Sequence, residues 1–261
     1  MITSLDNKTV KELTKLHQKK YRDDKFLLLD EHLIKCAKEN NYLETLVYCD
    51  KLPFEFDNTI EVSREVLNKI SKKDNLNYIG VGRPIKENDN YQSRVIILDH
   101  LQDPLNIGRI MEAAYLFGFD SVILSNESAD IYNEKCLVNS KGAIFKLNVT
   151  HKDLNEEILN LKNLGFKVYA TGLRKKTKDM HEVVPTDKLA IILGNEGSGV
   201  DNYLMDISDE IIKIDMVNID SLNVGMAGSI IMYYFSFISI KHCAFVIVNK
   251  NHSYCLTIHY N

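Results

Sequence analysis

Leu189–Val200 reads LAIILGNEGSGV, five apolar residues running without a break into a turn that holds three glycines. A short run of apolar, partly β-branched residues bounded by a turn is the pattern of a strand buried on both faces. The same pattern recurs on either side of it. VIILD (95–99), SVILS (121–125), FKVYATGL (166–173) and EIIKIDM (210–216) are all apolar strand candidates. Helical periodicity lies between them, at Ile107–Phe117 and Leu154–Leu164, the latter ending at Gly165 in a natural C-cap position. Strands alternating with helices predict an α/β domain with a mostly parallel sheet covered on both faces.

Open sheets of this kind bind ligands at the carboxyl ends of their strands. Three motifs fall there: DPLNIGRIMEAAYLFGF (Asp103–Phe119), LAIILGNEGSGV, and IDSLNVGMAGSI (Ile219–Ile230). Gly194, Gly197 and Gly199 let the backbone approach a flat ligand closely. Ile191, Ile214 and Leu222 supply apolar walls. No G-x-G-x-x-G follows the first strand and no Walker sequence occurs, which disfavours a dehydrogenase or a P-loop enzyme.

In this order and spacing the motifs resemble the SpoU/TrmH branch of the SPOUT RNA methyltransferases, over about residues 92–238. The resemblance implies a sheet whose C-terminal part is tied in a trefoil knot, S-adenosyl-L-methionine as methyl donor, 2′-O-ribose methylation of RNA, and a homodimer. Carried over residue by residue, the donor loops are Thr171–Leu173, Leu193–Gly199, Ile214–Met216 and Leu222–Gly228, with Thr171, Gly172, Leu173, Leu193, Gly194, Asn195, Gly197, Gly199, Ile214, Met216, Leu222, Asn223, Val224 and Ala227 as the donor contacts. Asn106, Glu196, Ser221 and Asn223 match the family's polar site, with Asn106 placed just before the first helix. A non-enzymatic RNA-binding or ribosome-assembly protein on the same fold is the alternative.

The pattern departs from the family at two positions. An arginine six residues after the first-motif Asn is implicated in the family's chemistry, and Glu112 stands there instead. Arg109, one turn earlier on the same helix face, could supply the charge. Glu112 could itself be the base, or the chain could bind without transferring. Gly225 replaces a residue that in the family is usually a small hydroxyl.

Residues 1–90 form a second, smaller unit. Residues 7–22 predict a basic amphipathic helix with Val10, Leu13 and Leu16 on its apolar face, extended by Lys20 and Tyr21. FLLLD (26–30), Glu31–Asn40, LETLVYC (43–49), Ser63–Ile70 and YIGVG (78–82) follow as strand, helix, strand, helix and strand, and polar Arg83–Arg94 reads as a linker. Gln18–Ala37 resembles the ribosomal-protein-like RNA-binding domain that often precedes the catalytic domain in this family, and so favours ribosomal over transfer RNA. Lys11, Lys15, Lys19, Lys20, Arg22 and Lys25 are candidate phosphate contacts, with Lys19, Lys20 and Arg22 foremost.

The remaining expectations follow from composition. Net charge is −4, and basic and acidic residues balance at 16 each over residues 1–90, so no global basic footprint marks an RNA binder. The five cysteines show no metal-type spacing and the eight histidines form no ligand cluster, so no metal is expected. The N-terminus lacks an apolar signal segment, which together with the scattered cysteines implies the cytoplasm. Ser229–Val248 approaches the length of a membrane span, but Lys241 and His242 interrupt it and a buried helix is expected. Residues 241–261 read as a tail in which CAFVIV and YCLTIHY flank a β-hairpin turn.

Overall fold

The computed structural model describes residues 1–184, 186–217 and 222–245, the last nine of these by backbone alone. The chain begins with α1 (Lys8–Lys15), capped by Asn7, whose Oδ1 accepts the Thr9 amide at 2.9 Å. Then follow β1 (Phe26–Leu28), α2 (Glu31–Glu39), β2 (Leu43–Tyr48), β3 (Thr59–Glu61), α3 (Arg64–Ser71) and β4 (Tyr78–Gly82). These strands form one sheet in the order β1-β4-β2-β3, antiparallel except for the β2/β3 pair.

The helix expected over residues 7–22 stops at Lys15. Beyond it, Arg22 turns back to donate from Nε to the Leu16 carbonyl and from a terminal nitrogen to that of His17, both at 2.7 Å. Carbonyls taken by an arginine close a helix end. Val10, Leu13 and Leu16 are buried, whereas Lys20 and Tyr21 are exposed and do not extend the apolar face.

The second sheet holds β5 (Arg94–Leu98), β6 (Ser121–Ser125), β7 (Asn148–Lys152), β8 (Lys167–Thr171), β9 (Lys178–Asp179), β10 (Leu189–Leu193) and β11 (Glu210–Lys213). Their order is β7-β6-β5-β10-β8-β11-β9, and every neighbouring pair is parallel. α4 (Pro104–Leu116), α5 (Glu134–Asn139), α6 (Leu154–Asn163), α7 (Asn202–Ile207) and α8 (Val224–Phe245) connect and cover it. From β5 the chain steps outward through β6 to β7, then returns to build the other side around β8 and β10. The strand order therefore reverses between β5 and β10, which opens a crevice beside their carboxyl ends.

The two units share a core. Phe26 stacks on Tyr132 with ring centroids 4.4 Å apart, the Tyr132 hydroxyl accepts the Ile85 amide at 2.7 Å, and Arg22 pairs with Asp130. The polar segment after Gly82 thus carries a buried Ile85 fixed to the second unit.

α8 packs on α4 with Ile231, Met232 and Phe235 buried. Among the described residues no helix is long and apolar enough to cross a membrane. Cys243, Ala244 and Phe245 are helical, so the strand expected from Cys243 does not start there; residues 246–261, with the rest of the expected hairpin, lie outside the described residues.

Candidate functional site

The Leu189–Val200 stretch leaves the sheet at Gly194, where a side chain has no room: a Cβ would lie 2.1 Å from the Val200 nitrogen. The chain then folds back on itself, with Asn195 and Gly199 exchanging amide bonds of 3.1 and 2.9 Å and Gly199 in the left-handed region at φ +72°. The Asn195 side chain holds the turn from within. Its Oδ1 accepts the Gly197 amide at 2.8 Å, and its Nδ2 donates to the His100 carbonyl at 2.7 Å, fastening the turn to the end of β5. Gly197 has space for a side chain, since its Cβ would meet only Asn195 Oδ1 at 3.5 Å.

This turn forms one wall of a cleft of about 470 Å³. Thr171, Gly172 and Leu173 at the end of β8 form the second wall. Leu193, Gly194, Asn195, Gly197 and Gly199 belong to the turn itself. Ile214 and Met216 beyond β11, and Leu222, Asn223, Val224 and Ala227 at the start of α8, close it. The expected loops Thr171–Leu173 and Leu193–Gly199 line this one cleft throughout, whereas Asp215 of the third loop and Gly225, Met226 and Gly228 of the fourth do not. Ile191 does not: it points into the core at 0% exposure, and Leu193 takes its place at the strand end. Ile212, Lys213 and Ile231 line the cleft without having been anticipated. Ile231 lies one helical turn past Ala227, which was its only sequence signal.

Asn106 is 3% exposed and sits in the first turn of α4, which starts earlier than the periodicity suggests. Asp103 caps this helix and Pro104 occupies its first position, where a missing N–H costs nothing. Asn106 Nδ2 donates to Glu196 Oε1 at 3.1 Å, and its Oδ1 accepts from Asn223 Nδ2 at 3.2 Å. Asn223 Oδ1 in turn accepts the Gly225 and Met226 amides at 3.0 and 3.3 Å, capping α8. The three motifs are thereby joined side chain to side chain beside the cleft. A Cβ on Gly225 would lie 3.2 Å from Asn223 Oδ1 and 3.5 Å from Asn106 Oδ1, so the glycine gives this chain of amides its room.

Arg109 is exposed and Glu112 half-buried, one turn apart on α4, and neither lines the cleft. Arg109 is the nearer to the site, with its Cβ 3.7 Å from a Cβ built on Gly225. Ser221 lies outside the described residues.

A second crevice of about 360 Å³ opens at the ends of β5, β6 and β7. There Asp99, 2% exposed, accepts from His100 Nδ1 at 2.6 Å and from the Asp201 amide at 2.8 Å. The bond to Asp99 raises the His100 pKa above its usual value, against an opposing effect of burial.

The foremost basic candidates of the first unit divide. Lys19 and Lys20 are exposed, Lys20 lying 5.0 Å from the centre of the Tyr21 ring. Arg22 instead faces inward: its side chain is 10% exposed, and its guanidinium is taken by Asp130 and two carbonyls. It is a clamp between the two units rather than a phosphate contact. Among the described residues no group of His, Cys, Asp or Glu is arranged to hold a metal ion.

The sequence profile of the SpoU rRNA Methylase family matches residues 93–233. The chain belongs to the SpoU rRNA methylase family. Residues 7–79 match the MRM3-like substrate binding domain. Among curated proteins, the chain is 30% identical over 243 residues to the 23S rRNA (guanosine(2553)-2′-O)-methyltransferase RlmP of Bacillus subtilis, covering 89% of this chain and 98% of that one. Its fold matches the crystal structure of an rRNA methyltransferase from Sinorhizobium meliloti with a TM-score of 0.81 at 24% identity, over 92% of this chain and 97% of that one. An AdoMet-bound rRNA methyltransferase structure from the same organism gives a TM-score of 0.78 at 23% identity over the same shares.

Proposed function

We propose that this chain transfers the methyl group of S-adenosylmethionine to a ribose 2′-hydroxyl of RNA, and of ribosomal RNA in particular, working as a homodimer in the cytoplasm. The observation that carries this reading is the juncture of the three motifs: an apolar, backbone-lined cleft with Asn223, Asn106 and Glu196 hydrogen-bonded in series at its side. The similarity to RlmP, which acts on 23S rRNA, supports ribosomal RNA as the substrate.

The cleft suits an adenosine. Leu193, Ile214, Leu222 and Ile231 offer apolar faces for a flat base, and the Gly194–Gly199 turn presents backbone groups in place of side chains. The volume is ordinary for a small-molecule site, within roughly 300–1,000 Å³. When bound, S-adenosylmethionine supplies an electrophilic sulfonium methyl. The residues of the chain have to hold the ribose in line with it and assist loss of the hydroxyl proton. Asn223 and Asn106 position the ribose, while Glu196 fixes the orientation of the Asn106 amide. Arg109, always cationic, stabilises the developing alkoxide from a place one turn earlier than the family's arginine. Lys19 and Lys20 contribute phosphate contacts from the first unit.

The dimer reading rests on one face. Tyr115 and Leu116 at the end of α4 and Met226, Ile230 and Tyr233 on one side of α8 are all exposed. Spacings of four and three put the α8 residues in one stripe. Arg109 and Glu112 lie on α4 as well, so a subunit covering this stripe would bring its partner close to them.

The decisive experiment is transfer of a labelled methyl group from S-adenosylmethionine to unmodified ribosomal RNA, comparing wild type with Arg109→Ala and Glu112→Ala. The expected result is transfer by wild type and by Glu112→Ala, with a loss of about a hundredfold in Arg109→Ala. Dependence on Glu112 instead would make that carboxylate the base. Absence of wild-type transfer to ribosomal and transfer RNA, with donor binding shown separately, would overturn the enzyme reading in favour of an RNA-binding protein.

A further inference from the structure

Gly172 and Leu173, which line the donor cleft, lead directly into the most basic short segment of the second unit, Arg174-Lys175-Lys176-Thr177-Lys178. The first four of these residues make a tight turn. The Thr177 amide donates to the Arg174 carbonyl at 3.1 Å, and the Arg174 amide donates to Thr177 Oγ1 at 2.7 Å. Lys175 and Lys176 therefore occupy the two corner positions, and both are exposed.

The turn is held in place. The Arg174 guanidinium pairs with Asp206 and donates to the Asn202 side-chain oxygen at 2.5 Å and to its carbonyl at 3.2 Å, all on α7. Arg174 is thus consumed in anchoring, and the charge offered to solvent is that of the two lysines.

Beside the turn runs a groove of about 930 Å³, whose acidic side chains are Asp206, Asp209 and Glu210. Each already has a cation. Asp206 has Arg174, Asp209 has Lys162 at 3.0 Å, and Glu210 has both Lys167 at 2.8 Å and Lys178 at 3.3 Å. Lys175 and Lys176 have no acidic partner among the described residues. A chain with a net charge of −4 consequently places two uncompensated positive charges, on a pinned turn, two and three residues past Leu173 in the wall of its donor cleft.

We infer that the Lys175–Lys176 turn is a phosphate-binding element that holds the RNA backbone next to the target nucleotide. The inference rests on the RNA-modifying reading above. A ribose can reach the cleft only if the phosphates on either side of it pass over the rim, and the rim must offset their charge. Contacts of this kind set register and affinity without reading sequence. The exposed Leu173, between turn and cleft, offers an apolar surface against which a base or ribose can lie as the backbone is held.

The test measures binding of unmodified ribosomal RNA, transcribed in vitro, across a salt series, and separately the affinity for S-adenosylmethionine. The comparison is among wild type, Lys175→Ala/Lys176→Ala, and Lys188→Ala. Lys188 precedes β10 at the amino ends of the parallel strands, away from the carboxyl ends where the cleft and the turn lie, and serves as the charge control. The double variant is expected to bind RNA about tenfold more weakly, with the slope of log affinity against log salt reduced by about one per lysine removed. Donor affinity is expected to be unchanged, as are all properties of Lys188→Ala. An unchanged slope in the double variant, or an equal per-lysine reduction in the control, overturns the inference. Because RNA binding is read without transfer, an inactive wild type would sink the enzymatic reading and leave this test intact.

Discussion

Asn106 and Asn223 lie 117 residues apart in the chain and meet side chain to side chain at 3.2 Å, with Asn223 Nδ2 donating to Asn106 Oδ1. The direction of this bond is set from outside it. Glu196 can only accept when ionised, so Asn106 must turn its nitrogen toward Glu196 and its oxygen toward Asn223. Asn223 must then present its own oxygen to the first amides of α8. One exposed carboxylate thereby orders two amides and caps a helix, and the start of α8 is joined to the first turn of α4.

Replacing Asn223 with Ala removes the link to Asn106 and both capping bonds at once. Loss of the cap costs about 1 kcal/mol of helix stability. Loss of the link frees Asn106. Methyl transfer is expected to fall by tenfold or more, as an order of magnitude for a misplaced positioning group, while affinity for S-adenosylmethionine drops only a few-fold because the walls of the cleft remain. Asn223→Ser, which keeps a capping oxygen, should recover stability and not transfer. Single-turnover rates set beside donor titration distinguish the two effects; an unchanged rate in Asn223→Ala removes the residue from the site.

Arg22→Ala should unfold the protein more easily without a matching effect of Lys19→Ala or Lys20→Ala. The ion pair it makes with Asp130 is shielded, at 10% and 13% side-chain exposure, and its loss leaves a carboxylate facing a closed interface. Breaking a buried pair on one side costs about 3 kcal/mol or more. For a chain of this size that corresponds to roughly 6–12 °C in Tm. Asp130→Asn, which removes the stranded charge while leaving an oxygen for the Tyr132 amide, should restore part of the loss in the double variant. A melting temperature equal to wild type in Arg22→Ala would show that the clamp carries no stability.

Charging the exposed stripe of α8 should separate the subunits. Met226→Asp/Ile230→Asp places two carboxylates where Met226 is 55% and Ile230 38% exposed, so the folded subunit loses little buried area. Light scattering on dilute samples is expected to give a dimer for wild type and a monomer for the variant, with methyl transfer lost in the monomer. A wild-type monomer that still binds the donor would overturn the shared-site arrangement.

The sheet was legible because its central strands are apolar on both faces: Val95–Leu98, Val122–Leu124 and Leu189–Leu193 are all essentially inaccessible. The strand β7, NVTHK, sits at the sheet's edge with Asn148, His151 and Lys152 only partly buried, so it carries little of that signal. The short β9 and β3 are hidden for the same reason. The residues of the cleft were legible through motif order alone, since Gly172 and Leu222 have no property that marks them singly. Ile191 was misassigned because it shares its face with Leu193 but lies two residues further from the strand's carboxyl end, inside the core, and a fully apolar strand conceals where along its length the cleft begins. The Arg22 clamp was hidden by composition: a basic run looks solvated until its partner, 108 residues away, is located.

His100 offers a titration with a defined sign. Its backbone sits in the left-handed region at φ +54°, which a glycine adopts freely and a histidine does not. The strain is held by the bond from Nδ1 to the buried Asp99 at 2.6 Å, while Nε2 lies 3.6 Å from Glu127 and the Asp201 charge adds to the attraction. These groups raise the His100 pKa in the folded state. A raised folded pKa adds stability that is fully present below the unfolded value and disappears as pH climbs through the folded one. His100→Gly removes that contribution and relieves the backbone. At about pH 5 wild type should therefore melt above the variant, and at about pH 9 the gap should be narrower. The residual gap then reflects the neutral hydrogen bond to Asp99 set against about 1 kcal/mol of relieved strain. Thermal melts at both pH values check this. A gap that stays constant or widens as pH rises would show that the Asp99–His100 pair contributes nothing through its charge.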